Sequence, residues 1–244
     1  MPKLRLSVLS LRYSSWSMRP WLALCHAGAD FVTETAEIEL DKRSPKDPGD
    51  GAQGKTGDSL VRRRGLGSVT GLFPVLHVDD ARIHESLAIC EWANETFPGA
   101  RLWPEDPLLR ARARSISCEM LSGFANVRTH LSCHPFGRLR DPLRLDDATR
   151  AEVVRVFELW GEALERSGGP FLFGQFSIAD CMYYPMRTRF RTYGVAIPDA
   201  LAPYARALDA YPAVQALERV GHKAPRIEAY DEYLRSVGGD PNAA

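Results

Sequence analysis

Two kinds of hydrophobic spacing divide the chain into unlike halves. Residues 4–9 alternate between apolar and polar side chains, which predicts a half-buried strand. The serine-rich segment 14–17 offers helix caps, and residues 21–25 form an apolar helical face before Gly28. Residues 32–40 are β-branched and alternating, which predicts a second strand. A strand, a helix and a strand over about forty residues predict a βαβ unit with a parallel sheet.

Later hydrophobic runs predict a hairpin, one more helix and then a wholly helical half. Residues 74–78 and 81–83 predict the hairpin, and Ser86 is placed to cap the helix after it. The Gly-, Pro- and charge-rich segment 42–71 predicts a long surface loop, with a short helix near residues 60–64. Beyond the proline-rich stretch, helical spacing recurs in six segments: 108–131, 149–166, 178–192, 201–210, 213–220 and 226–237.

These patterns predict an α/β N-terminal domain followed by an all-α C-terminal domain. The expected limits are 1–98 for the first domain, 99–107 for the linker and 108–244 for the second. The composition is ordinary for a globular protein, with 45% hydrophobic and 25% charged residues. No segment has the length and hydrophobicity of a signal peptide or a membrane span.

Charge and cysteine content narrow the expected partners. Lys+Arg and Asp+Glu both number 31, so no overall field favours nucleic acid or acidic membranes. The 5 cysteines are scattered and lack metal-binding spacing, which predicts reduced thiols in a cytoplasmic protein without a metal. We therefore expect no nucleic-acid partner and no membrane partner.

Three short motifs carry candidate chemistry. Segment 12–20 puts serines at a helix start, where free N–H groups and a hydroxyl can stabilise a thiolate. If the Phe73-Pro74 bond is cis, the backbone of Phe73 can face a bound peptide. Glu85 can accept from an ammonium group, and Ser86 at a helix start can receive a carboxylate. Simple helix capping and a trans proline are the alternative interpretations of these motifs.

The order of these motifs resembles the glutathione S-transferase superfamily. The run Tyr-Ser-Ser-Trp-Ser-Met-Arg-Pro-Trp is similar to a bacterial branch near the zeta and theta classes, and the resemblance extends over 4–40 and 71 to about 235. It implies a thioredoxin-like N-terminal domain, glutathione as co-substrate, a two-fold homodimer and a role in detoxification. The implied reaction is conjugation of the glutathione thiol to a small electrophile, with peroxide reduction as a side activity.

The resemblance also implies roles for individual residues. It assigns the thiol-facing hydroxyl to Ser15, or else to Ser14, and Ser15 is favoured because it lies closer to the helix start. The remaining glutathione contacts would come from Ser17, Phe73, Pro74, Glu85 and Ser86. The electrophile would lie beside Trp16, Met120 and Arg128, with Tyr183 and Arg187 as further candidates. Residues 176–181 match the family's folding motif, in which Ser177 and Asp180 cap a helix.

Two departures from the family pattern stand beside these roles. The chain lacks the lysine expected to hold the glycyl carboxylate, and Arg62, Arg63 and Arg64 in the insert are candidate replacements. Trp16 also stands where zeta enzymes have cysteine, which weakens a maleylacetoacetate-type isomerase as an alternative function. A non-enzymatic interaction module on the same fold is the other alternative, because fold does not fix function.

Overall fold

The first half of the chain is built around a four-stranded sheet. The computed structural model describes residues 2–36, 61 and 63–243. The strands are β1 (Leu4–Val8), β2 (Phe31–Thr35), β3 (Val75–Val78) and β4 (Ala81–His84). They lie in the order β2-β1-β3-β4, with β1 parallel to β2 and antiparallel to β3. Helix α1 (Ser15–His26) connects the parallel pair, and α2 (Ser86–Thr96) follows the β3–β4 hairpin.

The strand register brings three connecting segments to one edge of the sheet. Ser7 near the end of β1 pairs with Val75 at the start of β3, and Val75 pairs with His84 at the end of β4. The chain segments that follow β1, precede β3 and follow β4 therefore leave the sheet together. The serine-rich segment, the Phe-Pro motif and the Glu-Ser motif are those three segments.

The second half is helical, as the spacing predicts. Its helices are α3 (Pro107–Ser122), α4 (Ala125–His130), α5 (Asp147–Ser167), α6 (Ile178–Tyr193), α7 (Ala202–Asp209), α8 (Pro212–Lys223) and α9 (Glu228–Ser236). Trp160 is fully buried at its centre, with edge-on ring contacts to Tyr183 and Tyr204. The predicted fold class, a thioredoxin-like domain followed by a helical domain, is confirmed. Within the described ranges, none of the helices is both long enough and apolar enough to cross a bilayer.

Several predicted element limits differ from those observed. The single helix expected over 108–131 is two helices, because Phe124 adopts a left-handed conformation with φ 61° that no helix continues. Glu85 occupies the N-cap position of α2, so Ser86 is the first helical residue rather than the cap. Two short strands that the spacing did not predict, β5 (Arg138–Leu139) and β6 (Gly239–Asp240), pair in the second half. Most of the predicted insert, residues 42–60, lies outside the described residues.

The predicted folding motif is present at the start of α6. Asp180 is fully buried, and its Oδ2 accepts the Ser177 N–H at 2.9 Å, the return contact of a capping box. Its Oδ1 accepts the Leu172 N–H at 3.2 Å and so fixes the preceding turn as well. Phe176 stacks on Tyr211, the N-cap residue of α8, at 4.0 Å between ring centroids.

Candidate functional site

A cavity of about 180 Å³ lies at the sheet edge where the three connecting segments meet. The helical half closes one wall of it with Cys133, Arg189 and Tyr230. The first half supplies the other lining residues, which are Leu9, Tyr13, Ser14, Ser15, Trp16, Arg63, Thr70, Leu72, Phe73, Pro74, His84, Glu85 and Ser86. The cavity thus joins the two halves of the chain and collects all three motifs.

Ser14 and Ser17 use their hydroxyl groups to build the start of α1. Ser14 is the N-cap, and its Oγ accepts the Ser17 N–H at 3.3 Å and the Ser17 hydroxyl at 3.0 Å. The Ser17 Oγ also accepts the Leu9 N–H at 3.3 Å. Ser17 is fully buried and is not among the described residues that line the cavity, so the structure does not bring it to the predicted contact.

Ser15 lines the cavity as Ser14 does, but its hydroxyl has a different environment. It is the first residue of α1 and lines the cavity with 6% of its surface exposed. Its hydroxyl makes no hydrogen bond to any residue that the structure describes. A hydroxyl at a helix start with unused hydrogen-bonding capacity can donate to an anion in the cavity.

Tyr13 offers a second hydroxyl near the cavity, but its environment keeps that group protonated and engaged. The Tyr13 hydroxyl donates to Asp231 Oδ1 at 2.8 Å and accepts from Arg12 Nε at 3.2 Å. Burial, and then the hydrogen bond to the Asp231 carboxylate, raise the pKa of Tyr13 to about 12. Tyr13 therefore serves as a link to α9 rather than as a donor to a ligand.

The Phe73–Pro74 peptide bond is cis, and both residues line the cavity. Opposite them, Glu85 has φ 70° and ψ 133°, a costly conformation for a residue with a side chain. The Ser86 hydroxyl next to it donates to Trp16 O at 2.7 Å, which ties the start of α2 to α1. Two helix N-termini therefore face one cavity beside one carboxylate, an arrangement suited to a ligand with both anionic and cationic groups.

Of the residues predicted for the electrophile pocket, the structure brings only Trp16 to the cavity wall. The guanidinium carbons of Arg19 and Arg128 lie 4.4 and 4.8 Å from the Trp16 ring centroid. Arg128 stands behind the wall, where its Nε donates to Gly123 O at 3.0 Å and its Nη2 donates to Met120 O. Met120 is 2% exposed and packs in the core, so its side chain does not reach the cavity.

Tyr183 and Arg187, the further candidates for that pocket, have other partners. The Tyr183 hydroxyl donates to Ile116 O at 3.1 Å, and Arg187 is paired with Asp209 at 2.5 Å. Neither belongs to the cavity lining in the described part of the chain. They precede Arg189, the described α6 residue that lines the cavity, by six and two positions and so lie on other sides of that helix.

The sequence reasoning missed Cys133, Arg189 and Tyr230. A signal existed for Arg189, since it follows the buried Met182 and Met186 at spacings of seven and three and so continues the inward face of α6. Of the three candidate replacement cations, Arg63 lines the cavity, whereas Arg64 is exposed and Arg62 lies outside the described residues. Arg63 is 1% exposed and its Nη1 donates to Gly71 O at 2.9 Å.

A buried polar cluster holds α9 beneath the cavity. His134 Nε2 lies 2.7 Å from Asp231 Oδ1, and Arg226 Nε donates to Asp231 Oδ2 at 2.7 Å. Burial opposes ionisation of Asp231, but hydrogen bonds from His134, Tyr13 and Arg226 outweigh it and lower the pKa of Asp231. Burial lowers the pKa of His134, despite the carboxylate beside it. The cluster therefore contains an ionised Asp231 and a neutral His134 at neutral pH.

Two family models match this chain. The model described as "Glutathione S-transferase, N-terminal domain" matches residues 13–96, and "Glutathione S-transferase, C-terminal domain" matches residues 144–219. Together they cover more than half of the chain. The N-terminal match includes every motif at the sheet edge.

Two curated proteins match this chain in sequence over about half of its length or less, and one solved structure matches its fold over most of its length. Rat (Rattus norvegicus) glutathione S-transferase omega-2 is 30% identical over 131 residues, 52% of this chain and 49% of that protein. A probable maleylacetoacetate isomerase of Caenorhabditis elegans is 50% identical over 50 residues, 20% of this chain and 23% of that protein. The matches thus span about half or less of these curated relatives. A glutathione transferase homologue from Burkholderia gl BGR1, solved with bound glutathione, has a TM-score of 0.63 at 21% identity, covering 91% of this chain and 99% of that one.

Proposed function

Because the chain belongs to the glutathione S-transferase superfamily, we propose that it binds glutathione in the cavity and joins the glutathione thiol to a small electrophile. The observation that carries this proposal is the Ser15 hydroxyl at the start of α1. It lines the cavity and has no hydrogen-bond partner among the described residues. A solved relative of the same fold, the Burkholderia homologue, was crystallised with glutathione.

Each part of glutathione has a matching group in the proposed complex. The γ-glutamyl carboxylate meets the Ser86 end of α2, and its ammonium group meets the Glu85 carboxylate. The cysteinyl unit lies along the backbone of Phe73. Arg63 replaces the missing lysine at the glycyl carboxylate. The thiol then faces Ser15, the first residue of α1.

The chemical task of Ser15 is to stabilise the thiolate. A free cysteine thiol titrates near pH 8.5, so most of it is protonated at neutral pH. A hydrogen bond from Ser15, together with the positive end of α1, favours the ionised sulfur. The thiolate attacks an electrophilic carbon of the second substrate, a C–S bond forms, and the leaving group departs with its electron pair.

Separate substitutions of the two neighbouring serines test this assignment. Ser15→Ala is expected to raise the pKa of the bound thiol and to lower kcat/KM at neutral pH about tenfold for each pH unit of that rise, because less of the thiol is then ionised. Ser14→Ala is expected to cost about 1 kcal/mol of stability through loss of the cap, with a smaller effect on the thiol pKa. Thiolate absorbance followed against pH provides the titration. An unchanged thiol pKa and turnover in both variants and in the double variant would show that the serine role is wrong.

A glutathione-dependent isomerase is the second candidate function. It is favoured by the 50% identity over 50 residues to the probable maleylacetoacetate isomerase. The same thiolate would add to a double bond and leave again after rotation, so glutathione would be unchanged at the end. Consumption of glutathione during turnover separates conjugation from isomerisation.

A non-enzymatic interaction module would keep the fold without the site. Retention on immobilised glutathione, and its loss on adding free glutathione, distinguishes a working site from a docking domain.

Membership of the family also favours a two-fold homodimer in the reducing cytoplasm, where all 5 cysteines stay free. Sedimentation equilibrium tests the dimer.

A further inference from the structure

Three arginines, of which Arg19 and Arg189 are buried and Arg128 is half-buried, cluster behind and within the helical wall of the cavity. They are Arg19 on α1, Arg128 on α4 and Arg189 on α6. None of the three forms an ion pair with a carboxylate of a described residue. The Glu152 carboxylate, which attracts Arg128, accepts its hydrogen bonds from the N–H groups of Asn126 and Val127.

The three guanidinium groups repel one another. Burial first, and then repulsion by Arg128 and Arg189, lower the pKa of Arg19 well below its ordinary value. Arg19 is 1% exposed, and its Nη1 has no hydrogen-bond partner among the residues that the structure describes. Charged groups in a protein interior are normally paired, and these three arginines form no ion pair with a described carboxylate, so their charge favours an anionic ligand at this wall.

Arg189 is the member of the cluster that reaches the cavity. It is 3% exposed and lines the wall beside Cys133 and Tyr230. Its Nε donates to Leu131 O at 2.8 Å and its Nη1 to Pro185 O at 3.3 Å, which fix the guanidinium plane. Its Nη2 makes no hydrogen bond to the residues described. A held guanidinium with an unused edge is suited to a carboxylate.

We propose that the electrophilic substrate carries a carboxylate and that Arg189 binds it, with Arg19 and Arg128 providing the surrounding positive charge. This inference rests on the proposed function. It concerns the second substrate, because the carboxylates of glutathione are assigned to the sheet side of the cavity. The helical wall would then select anionic electrophiles over neutral ones of equal size and reactivity.

A matched substrate pair tests this selection in the unmodified protein. We expect kcat/KM for 4-chloro-3-nitrobenzoate to be about tenfold higher than kcat/KM for 4-chloro-3-nitrobenzamide, after correction for their uncatalysed rates. A difference of about tenfold corresponds to one hydrogen-bonded charge contact. In both, the thiolate attacks the chlorine-bearing carbon, a C–S bond forms and chloride leaves with the C–Cl electron pair. The preference should fall in high salt, because screening weakens charge recognition.

Substitutions then locate the preference. Arg189→Met is expected to abolish the preference, because kcat/KM should fall about tenfold further for the acid than for the amide. Arg189→Lys should retain part of it. Arg206→Met is the matched control, because Arg206 is an exposed arginine of α7 outside the cavity lining and its loss removes the same charge.

Binding without turnover separates failure of this proposal from failure of the proposed function. Calorimetry should show 3-nitrobenzoate binding about tenfold more tightly than 3-nitrobenzamide, whether or not either chloro compound reacts. Equal binding or equal turnover of acid and amide in the parent protein would overturn the proposal. Equal losses for both substrates in Arg189→Met and Arg189→Lys would also overturn it. Absence of conjugation with a retained preference for the acid would instead count against the transferase function alone.

Discussion

At the scale of single residues, neighbouring side chains of one type take different tasks at the start of α1. Ser14 caps the helix at the cavity wall, and Ser17 ties the residue after β1 to that cap. Ser15 lines the cavity with a hydroxyl that makes no hydrogen bond to a described residue. The sequence predicts a hydroxyl-rich helix start, but three serines within four positions share one chemistry. Only the helix register decides which hydroxyl faces outward, and a one-residue change in the cap position would exchange their tasks.

Arg63 is expected to hold the glycyl carboxylate of glutathione. Arg63→Met should raise the Kd for glutathione about tenfold, which is about 1.4 kcal/mol. The Kd for γ-glutamylcysteine, which lacks that carboxylate, should stay unchanged. Calorimetry with both ligands measures the difference. Arg64→Met is the control, since Arg64 is exposed and does not line the cavity. If Arg63→Met weakened the binding of both ligands equally, Arg63 would not be the group that binds the glycyl carboxylate.

His134 is expected to make folding sensitive to mild acid. Burial lowers the pKa of His134 in the folded chain, whereas the unfolded chain has the ordinary value of about 6.5. As pH falls below about 6.5, the unfolded chain gains a proton that the folded chain does not, so stability falls by up to about 1.4 kcal/mol per pH unit. The lowered pKa of Asp231 adds a loss only in stronger acid.

Urea unfolding at pH 7.5, 6.5 and 5.5 checks this dependence. His134→Gln, which can still donate to Asp231, should flatten the fall in stability between about pH 6.5 and 5.5. His222→Gln should leave it unchanged, because His222 is exposed. Equal slopes in the parent and in His134→Gln would contradict the assignment.

At the scale of elements, hydrophobic periodicity predicts the regular helices and strands, but it does not predict local changes of backbone conformation. The spacing predicts the four strands and most helices of the second half, since each buries one regular face. It does not predict the break at Phe124, because a positive φ in a bulky residue leaves no mark on hydrophobic spacing. The two-residue strands β5 and β6 are too short to show any alternation.

The capping box at the start of α6 is expected to stabilise the fold strongly. Asp180→Ala leaves the buried N–H groups of Leu172 and Ser177 without their acceptor, and the expected cost is about 3 kcal/mol. Asp147→Ala at the start of α5 should cost less than about 0.5 kcal/mol, because that side chain is exposed. Chemical denaturation of both variants provides the comparison. Similar losses of unfolding free energy in the two variants would show that the buried capping box contributes no more than an exposed helix-start carboxylate.

At the scale of the whole molecule, the cavity belongs to neither half alone. Tyr13 is bonded to Asp231 of α9, and Arg12 Nη1 donates to His222 O at 2.7 Å. The order of the three motifs along the first half of the chain was sufficient to predict that they contribute to one site. It could not place Cys133, Arg189 or Tyr230, because contacts between the halves depend on how α1 docks on α6. The electrophile wall was therefore the least predictable part of the site.

Ligand binding should consequently stabilise both halves together. Glutathione at 100 times its Kd is expected to add about 2.7 kcal/mol to the free energy of unfolding. Tryptophan fluorescence and far-UV circular dichroism should give one coincident urea transition, shifted equally by the ligand. Two separate transitions, with only the earlier one shifted, would mean that the halves unfold independently.

The position of Trp16 has a practical consequence for optical measurement. Of the 5 tryptophans in the chain, Trp16 is the one found in the described cavity lining. The guanidinium carbons of Arg19 and Arg128 lie within 4.8 Å of its ring centroid, and the proposed thiol position is adjacent, so arrival of a ligand alters the field around the chromophore. The protein thus carries an intrinsic emission probe at the junction of its two substrate positions. A Trp16→Phe variant gives the background spectrum against which occupancy of either position is read without an added label.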